Sequence, residues 1–270
     1  MAIYTGVGGS AKSVSKIYTG IDGVARPVYK GYVGVNGQAK QFFDGGQPLS
    51  SFAIGSSIGI GSYSYILVHK GIPGGGMYDS TANGAWLWRS DVVASTSIAS
   101  GDSNYIYGYE NYALDNWCKN YPANYITSSI RRLLKTVNLP YVSAGNYSSA
   151  TVTYGSNGLK RNCFLLSSVE MGIYTWQGVD GLMAQEGAKL DYFDYTTSAT
   201  DKRKADSVYW TRSKRTHNGN YMYTFNADGS FSSVGHFRDR SLGLRPCVVL
   251  PLNVLAWKPF SWIDYGIVIT

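Results

Sequence analysis

The chain has few of the residues that catalytic and metal sites need. Its 270 residues include three histidines and three cysteines, and only 15% are charged. The histidines His69, His217 and His236 are scattered, with no i, i+4 pair typical of zinc ligands. The carboxylates show no readable spacing for paired acid–base chemistry. These absences favour a binding protein over an enzyme, with no cofactor and no metal.

The cysteines follow no metal or redox spacing. Cys163 lies in N-C-F-L-L and Cys247 in R-P-C-V-V-L, so apolar neighbours predict buried, inert thiols. Cys118 is the third, and a disulfide between two of the three is left open.

The sequence also lacks long apolar runs and concentrated charge. No run reaches membrane-spanning length, and the start M-A-I-Y-T-G has no basic or apolar signal-peptide region. We therefore expect release by lysis rather than by a signal peptide, if the protein works outside its cell. The formal charge of +7 is spread along the chain. Neither a nucleic-acid nor a membrane partner is indicated.

A fourteen-residue repeat occupies the beginning of the chain. Tyr4, Tyr18 and Tyr32 mark three copies of Y-x-G-[VI]-x-G-x-A-[KR]-x-[VF]. Each copy holds G-G, D-G or N-G at the same place, and such dipeptides suit a tight hairpin turn. Single hairpins are marginally stable, which predicts an attachment or oligomerisation module over residues 1–46. Turn residues 44–48 then place a domain boundary before residue 47, and a decorative sheet without a partner is the alternative.

Residues 47–270 predict an α+β domain. I-L-V-H-K-G and G-A-W-L-W-R-S look like paired strands, and C-F-L-L-S like another. Apolar spacing predicts one helix from residue 112 to near Pro122 and a second over 126–137, ending before Pro140. Residues 186–193 predict a short helical turn.

Two apolar strand-like segments enclose a polar, aromatic-rich region near the carboxyl end. V-Y-W-T-R-S and L-G-L-R-P-C-V-V-L can bury their side chains, while Tyr, Ser, Asn and Gly between them suit a recognition surface. We expect the ligand-contacting side chains to project from these loops: Arg212, Lys214, His217, Asn218, Asn220, Tyr221, Tyr223, Asn226, His236, Phe237, Arg238 and Asp239. An ordinary loop, with its Tyr rings packed on its own backbone, is the alternative.

Three residues of the enclosing segments have structural rather than contacting roles in this interpretation. Trp210 alternates with neighbours as a core residue does. Arg245, before Pro246, is expected to hydrogen-bond loop carbonyls or pair with a carboxylate. Gly243 is expected to permit a close backbone approach or a positive φ.

The order Y-D-S-T-A-N-G-A-W-L-W, I-R-R-L-L, C-F-L-L-S-S-V-E-M-G, L-D-Y-F, V-Y-W-T-R-S and G-L-R-P resembles an uncharacterised domain family of Firmicutes phages, prophages and gut bacteria. Members are assigned a C-type-lectin-like fold. The tail is also similar to variable phage receptor-binding proteins diversified by retroelements. The resemblance implies a homotrimeric virion tail protein. It would recognise a host cell-surface protein or glycan, with its N-terminal repeats contacting other tail proteins.

Three alternatives accompany that expectation. One is a bacterial surface or secreted adhesin. Another is an oxidase of the formylglycine-generating type in the same fold family, for which Cys163 and Cys247 would have to ligate copper in unsuitable apolar surroundings. The third, calcium-dependent sugar binding as in animal lectins, is not favoured, because it needs an E-P-N or Q-P-D type of motif. Gln47-Pro48 is followed by leucine, so no calcium is expected.

Overall fold

The structure is a computed structural model. It describes residues 4–7, 10–13, 17–21, 24–28, 30–35, 38–44, 46–98, 109–143, 151–174, 177–178, 181–215, 221–237, 239–256 and 265–267. Side chains are described from residue 46 onward, except at 177–182, 233–237 and 265–267.

The fourteen-residue repeat forms three separate β-hairpins. The strands are β1 (Tyr4–Val7), β2 (Ser10–Ser13), β3 (Ile17–Ile21), β4 (Val24–Val28), β5 (Lys30–Val35) and β6 (Gln38–Asp44). Each consecutive pair makes its own antiparallel two-stranded sheet. The predicted hairpins are therefore confirmed, while the turn dipeptides of all three lie outside the described residues.

The rest of the described chain is mainly β-structure. Its strands are β7 (Gln47–Pro48), β8 (Ser57–Ile60), β9 (Tyr63–Gly71), β10 (Gly84–Arg89), β11 (Ala94–Thr96), β12 (Val137–Leu139), β13 (Leu159–Arg161), β14 (Cys163–Leu165), β15 (Gln177–Gly178), β16 (Gly181–Leu182), β17 (Tyr209–Lys214), β18 (Tyr221–Phe225), β19 (Phe231–Phe237), β20 (Leu242–Leu244), β21 (Pro246–Leu250), β22 (Leu255–Ala256) and β23 (Tyr265–Ile267). The helices are α1 (Ala113–Tyr125) and α2 (Ser128–Arg131), with single 3₁₀ turns at Leu49–Ser51, Ser80–Ala82, Tyr109–Asn111, Gly155–Asn157 and Asp201–Arg203.

A six-stranded sheet separates two apolar cores. Its order is β14-β21-β10-β9-β8-β23, antiparallel except for the parallel pair of β8 and β23. Side chains alternate between sheet faces. Ala85 and Leu87 of β10 thus pack in one core, while Trp86 and Trp88 pack in the other. Burial on both faces explains why A-W-L-W is continuously apolar in the sequence.

A five-stranded sheet carries the carboxyl-terminal segments, in the order β11-β20-β17-β18-β19. Its central strand β17 contains Y-W-T-R-S of the first anchor and Lys214. Strand β20 contains L-G-L of the second anchor, whose P-C-V-V-L forms β21 in the six-stranded sheet. All six residues of β17 are buried. The sheet therefore holds the first anchor next to the beginning of the second.

Helix α1 follows the predicted position, but continues through Pro122 to Tyr125. The carboxylate of Asp115, buried on its inner face, accepts from Nε (2.6 Å) and Nη2 (2.7 Å) of Arg161 in β13. This pair of hydrogen bonds fixes the helix against the sheets and leaves its other face toward solvent.

The predicted α+β, C-type-lectin-like fold is wrong. The second expected helix has only the four residues of α2, because Val137–Leu139 is drawn into β12 by pairing with β13. The turn expected at 186–193 is not helical either. Several sheets dominate the described residues, without a clear C-type-lectin architecture. Among those residues, helices are too short or too polar to cross a bilayer.

Candidate functional site

Strands β17 and β18 hold the candidate recognition segment between them. They pair antiparallel, with Lys214 opposite Met222. Beyond the last pair, the Arg215 N–H donates to the Tyr221 carbonyl oxygen at 3.1 Å, and the Arg215 guanidinium lies 5.3 Å from the centre of the Tyr221 ring. The connecting segment 216–220 is thus fixed at both ends, although its own residues lie outside the described part.

A fully buried ion pair between Arg212 of β17 and Glu170 holds β17 in the core. Arg212 Nη2 donates to Glu170 Oε1 at 2.6 Å, and Nη1 donates to Oε2 at 2.5 Å. The same carboxylate accepts from the Tyr78 hydroxyl (2.5 Å) and the Ser167 N–H (2.8 Å), and Arg212 also donates to the Leu165 carbonyl. Every oxygen of the carboxylate is therefore satisfied, which a buried charge requires.

The surroundings of Arg212 favour its charged form. Burial alone would lower the pKa of Arg212, but the nearby Glu170 charge outweighs it and raises the pKa above its usual value. Burial, and then the Glu170 charge, raise the pKa of Tyr78, so its hydroxyl stays protonated and donates. The network ties β17 to the turn at residues 167–172.

Arg245 is another buried arginine. Together with Trp210, Gly243 and the Arg212 network, it forms the set of buried residues that we call the frame. The Arg245 guanidinium lies 3.5 Å from the centre of the Trp88 ring. It donates to the carbonyl oxygens of Arg89 (3.2 Å), Ser90 (2.8 Å) and Lys204 (3.0 Å). Burial lowers its pKa. These bonds agree with the expectation that Arg245 holds loop carbonyls, and its stacking on a tryptophan adds a cation–π contact.

The other two structural residues also belong to the frame. Trp210 is 2% exposed and packs in the core, as expected. Gly243 has no positive φ. It instead permits a close approach, since a Cβ there would lie 2.7 Å from Val92 Cγ1 and 3.0 Å from the Val208 carbonyl oxygen.

The expectation that Arg212, Lys214 and Tyr223 project from loops is wrong. All three lie in strands and are at most 1% exposed. Arg212 points to Glu170, and the Tyr223 ring packs 5.2 Å from that of Phe231. Burial lowers the pKa of Lys214 to about 8, against the charges of Glu110 and Glu186. These residues are parts of the scaffold and do not present a solvent-facing surface.

The remaining predicted contact residues divide between two ends of the sheet. Tyr221 is half-buried and pairs with Phe237, and Met222 pairs with His236, so these positions share one end with segment 216–220. Asn226 lies at the opposite end of β18, in the turn where it bonds to Ser230. Asp239 is exposed just after β19. His217, Asn218, Asn220 and Arg238 lie outside the described residues, as do the side chains of His236 and Phe237.

Sequence reasoning missed Glu186 as a buried titratable group. It is 1% exposed, and its Oε1 accepts from the Val142 N–H at 3.0 Å. Burial raises its pKa to about 7, outweighing the opposing charge of Arg212. The segment L-M-A-Q-E-G, with a single carboxylate among mostly uncharged residues, was the available signal. Strongly shifted groups such as this one mark candidate functional positions.

The cysteines do not form the thiolate pair that the oxidase alternative needs. Cys163 packs in one core with Cys118, whereas Cys247 packs in the other, across the sheet. All three are buried free thiols. Burial raises the pKa of both Cys163 and Cys247 well above the usual value, which disfavours the thiolate. Within the described residues there is also no cluster of three or more His, Cys, Asp or Glu side chains.

The comparisons with known proteins place most of this frame in one family. Residues 83–252 match a family model described as "Domain of unknown function (DUF6273)". No curated protein and no solved structure matches the chain. The matched residues extend from the beginning of β10 to just beyond β21, and so include Arg212, Arg245 and segment 216–220.

Proposed function

Since the chain belongs to the DUF6273 family, a domain of unknown function, we propose from its geometry that it is a phage tail receptor-binding protein. In this proposal, segment 216–220 and its neighbours Tyr221 and Asp239 contact a host cell-surface protein or glycan. The hairpins at the amino end attach the protein to other tail proteins, in a homotrimer.

The proposal rests on one observation, which is that the strands on either side of segment 216–220 are held in the core. Its flanking strands are buried, and Arg212 of β17 is held by a fully satisfied carboxylate. A connector held between such strands can change its side chains with little effect on the core, because the buried ion pair that holds β17 is made to Glu170, outside the connector. Tolerance of change in a fixed position is what a receptor-recognising segment needs.

The repeats support the attachment part of the proposal. Each is an isolated two-stranded hairpin, and such a unit gains little stability alone in water. Packing on neighbouring copies or on another tail protein would supply the missing apolar burial. Residues 47 and 48 already belong to the larger part, because β7 pairs with β22.

The test is labelling of bacteria with the fluorescent full-length protein. We expect a subset of strains in a panel of gut bacteria to bind it. Replacing residues 216–220 by Gly-Ser-Gly-Ser-Gly is expected to abolish or redirect that binding while circular dichroism stays unchanged. Asn226→Ala, at the opposite end of the same hairpin, is the matched control and is expected to leave binding intact.

A host pattern that survives the replacement unchanged would reject segment 216–220 as the contact. Mass spectrometry of purified phage particles separates the two biological settings. Presence of the chain in particles supports the tail protein, and its presence only in the bacterial envelope supports an adhesin instead.

A further inference from the structure

One face of α1, which packs against a core at Tyr121, carries a ladder of three aromatic rings. Trp117, Tyr121 and Tyr125 are spaced four residues apart, which places them on one face of a helix. Ring centres of Trp117 and Tyr121 are 5.2 Å apart, and those of Tyr121 and Tyr125 are 4.8 Å apart in a stacked arrangement. Tyr121 is buried, while the outer two rings are partly exposed. The exposed parts of the Trp117 and Tyr125 rings therefore offer aromatic surface to a ligand.

A row of amides accompanies the rings. Asn116, Asn120 and Asn124 have the same spacing and are all exposed. Asn120 Nδ2 donates to the Asn116 carbonyl at 3.0 Å. Among the described residues, the side chains of Asn116 and Asn124 make no hydrogen bond, and neither does the indole N–H of Trp117. Each such amide offers both a donor and an acceptor.

These side chains line one cavity of about 360 Å³, within the range of small-molecule sites. Ala113 and Thr96 complete its described lining. Thr96 is held in place because its carbonyl oxygen accepts from Trp210 Nε1 at 2.8 Å. None of the described lining residues is charged.

The floor of the cavity is formed by Tyr121, whose hydroxyl accepts from Arg89 Nη1 at 3.5 Å. The hydroxyls of Tyr121 and Tyr65 lie 2.6 Å apart, in the core. Burial raises the pKa of Tyr121 to about 12, so the phenol is neutral at physiological pH. Behind α1, the bonds from Arg161 to Asp115 hold the helix in place. The rings are therefore presented in fixed positions before any ligand arrives.

We propose that this cavity is a binding site for a neutral carbohydrate. The C–H face of a sugar ring packs well on an aromatic side chain, and its hydroxyls can both donate to and accept from the amides of Asn116 and Asn124. An anionic sugar would find no cation among the described lining residues. The site lies on α1, so the inference goes beyond the proposed function and does not depend on segment 216–220.

Calorimetric titration of the full-length protein tests the proposal. The probes are glucose, galactose, mannose, N-acetylglucosamine and disaccharides of each. Glucuronic acid and N-acetylneuraminic acid are the anionic comparison. We expect at least one neutral probe to bind saturably, with quenching or enhancement of tryptophan fluorescence, and neither anionic probe to bind more tightly. Absence of saturable binding by every neutral probe, or preference for an anionic one, would overturn the proposal.

Variants locate the binding. Asn124→Ala and Trp117→Ala are each expected to weaken it at least about tenfold. Asn157→Ala and Tyr195→Ala, which alter exposed residues outside the lining, are the matched controls and are expected to leave it unchanged. Trp117→Ala also removes packing. If Trp117→Ala unfolds the protein, the affinity of Asn124→Ala decides whether the sugar binds in this cavity. Full affinity in Asn124→Ala, or loss of sugar binding on replacing residues 216–220, would place the sugar elsewhere. Binding of a peptide to the protein, with no binding of any sugar, would also reject the proposal.

Discussion

The indole N–H of Trp210 donates to the carbonyl oxygen of Thr96, 2.8 Å away. Trp210 belongs to the central strand of the five-stranded sheet, and Thr96 to its edge strand β11. One side chain thereby joins the buried frame of segment 216–220 to the wall of the α1 cavity.

The two functions of Trp210, packing and hydrogen bonding, can be separated by substitution. Trp210→Phe keeps an aromatic ring but loses the bond to Thr96, so we expect unfolding to need about 1–2 kcal/mol less. Trp210→Ala also opens a cavity and is expected to cost about 3–5 kcal/mol. Urea unfolding followed by circular dichroism measures both. Equal losses in the two variants would show that the bond, and not the packing, dominates.

Removing one partner of the Arg212–Glu170 pair leaves the other as an unpaired buried charge. Glu170→Ala and Arg212→Ala are each expected to lower the free energy of unfolding by about 3–5 kcal/mol. The double variant Arg212→Ala/Glu170→Ala is expected to lose less than the two single losses added together. Exposed Arg131→Ala serves as the control in the same urea titrations. Strict additivity, or single losses near zero, would contradict the coupling.

Gly243→Ala is expected to destabilise the protein through a steric clash. The new Cβ would press against the Val92 methyls and approach the Val208 carbonyl, and such overpacking costs about 1–3 kcal/mol. Gly74→Ala is the matched control, because nothing lies within 4 Å of a Cβ there and its φ is not positive. Thermal unfolding of the two variants checks the difference. A melting temperature for Gly243→Ala equal to that of the control would refute it.

Glu186 is expected to make stability fall as the pH rises from about 4.5 to about 7. Burial raises its pKa from the ordinary 4.5, so in this window the folded protein holds a proton that the unfolded chain has released. The corresponding loss is about 3 kcal/mol when the pKa gap is fully crossed. Lys214, with its pKa lowered to about 8, contributes the opposite slope only at higher pH.

The pH effect is isolated by Glu186→Gln, which keeps an oxygen for the Val142 N–H. The difference in unfolding free energy between wild type and variant, measured by urea titration from pH 4 to pH 7.5, is expected to shrink or reverse as pH rises. Asp206→Asn, at an exposed carboxylate, is expected to show no such trend. A pH-independent difference for Glu186→Gln would mean that its pKa is not raised.

Deleting residues 1–44 is expected to leave a folded protein that no longer assembles. The cut must fall before residue 47, because Gln47 and Pro48 pair with Ala256 and Leu255. Size-exclusion chromatography with light scattering measures the mass of both forms. A truncated protein of unchanged assembly state would exclude the hairpins from oligomerisation.

Local patterns predicted the local elements. The turn dipeptides of the repeat gave the hairpins, and apolar spacing located β9, β10, β14 and α1. The second helix failed because apolar residues near Val137 fit a buried strand as well as a helix, and only the distant β13 decides between them. The C-type-lectin-like expectation rested on short scattered motifs, which specify packing environments more than the order of strands in a sheet.

The buried charges of the site were harder to predict from the sequence than its strands. Arg212 stands beside exposed-looking polar residues in the sequence, and its partner Glu170 is 42 positions away. No short-range sequence pattern connects Arg212 with Glu170, so the sequence does not distinguish this buried arginine from an exposed one. The α1 ladder, by contrast, was visible as W-x-x-x-Y-x-x-x-Y, yet the spacing alone equally fits a helix face packed in a core.

Among the described residues, each amino-terminal hairpin pairs strand against strand within at most fifteen residues. Duplication or loss of a whole copy consequently leaves every remaining backbone ladder complete. A change in the number of copies would therefore lengthen or shorten the amino-terminal hairpin region without altering the pairing of the sheets that follow it.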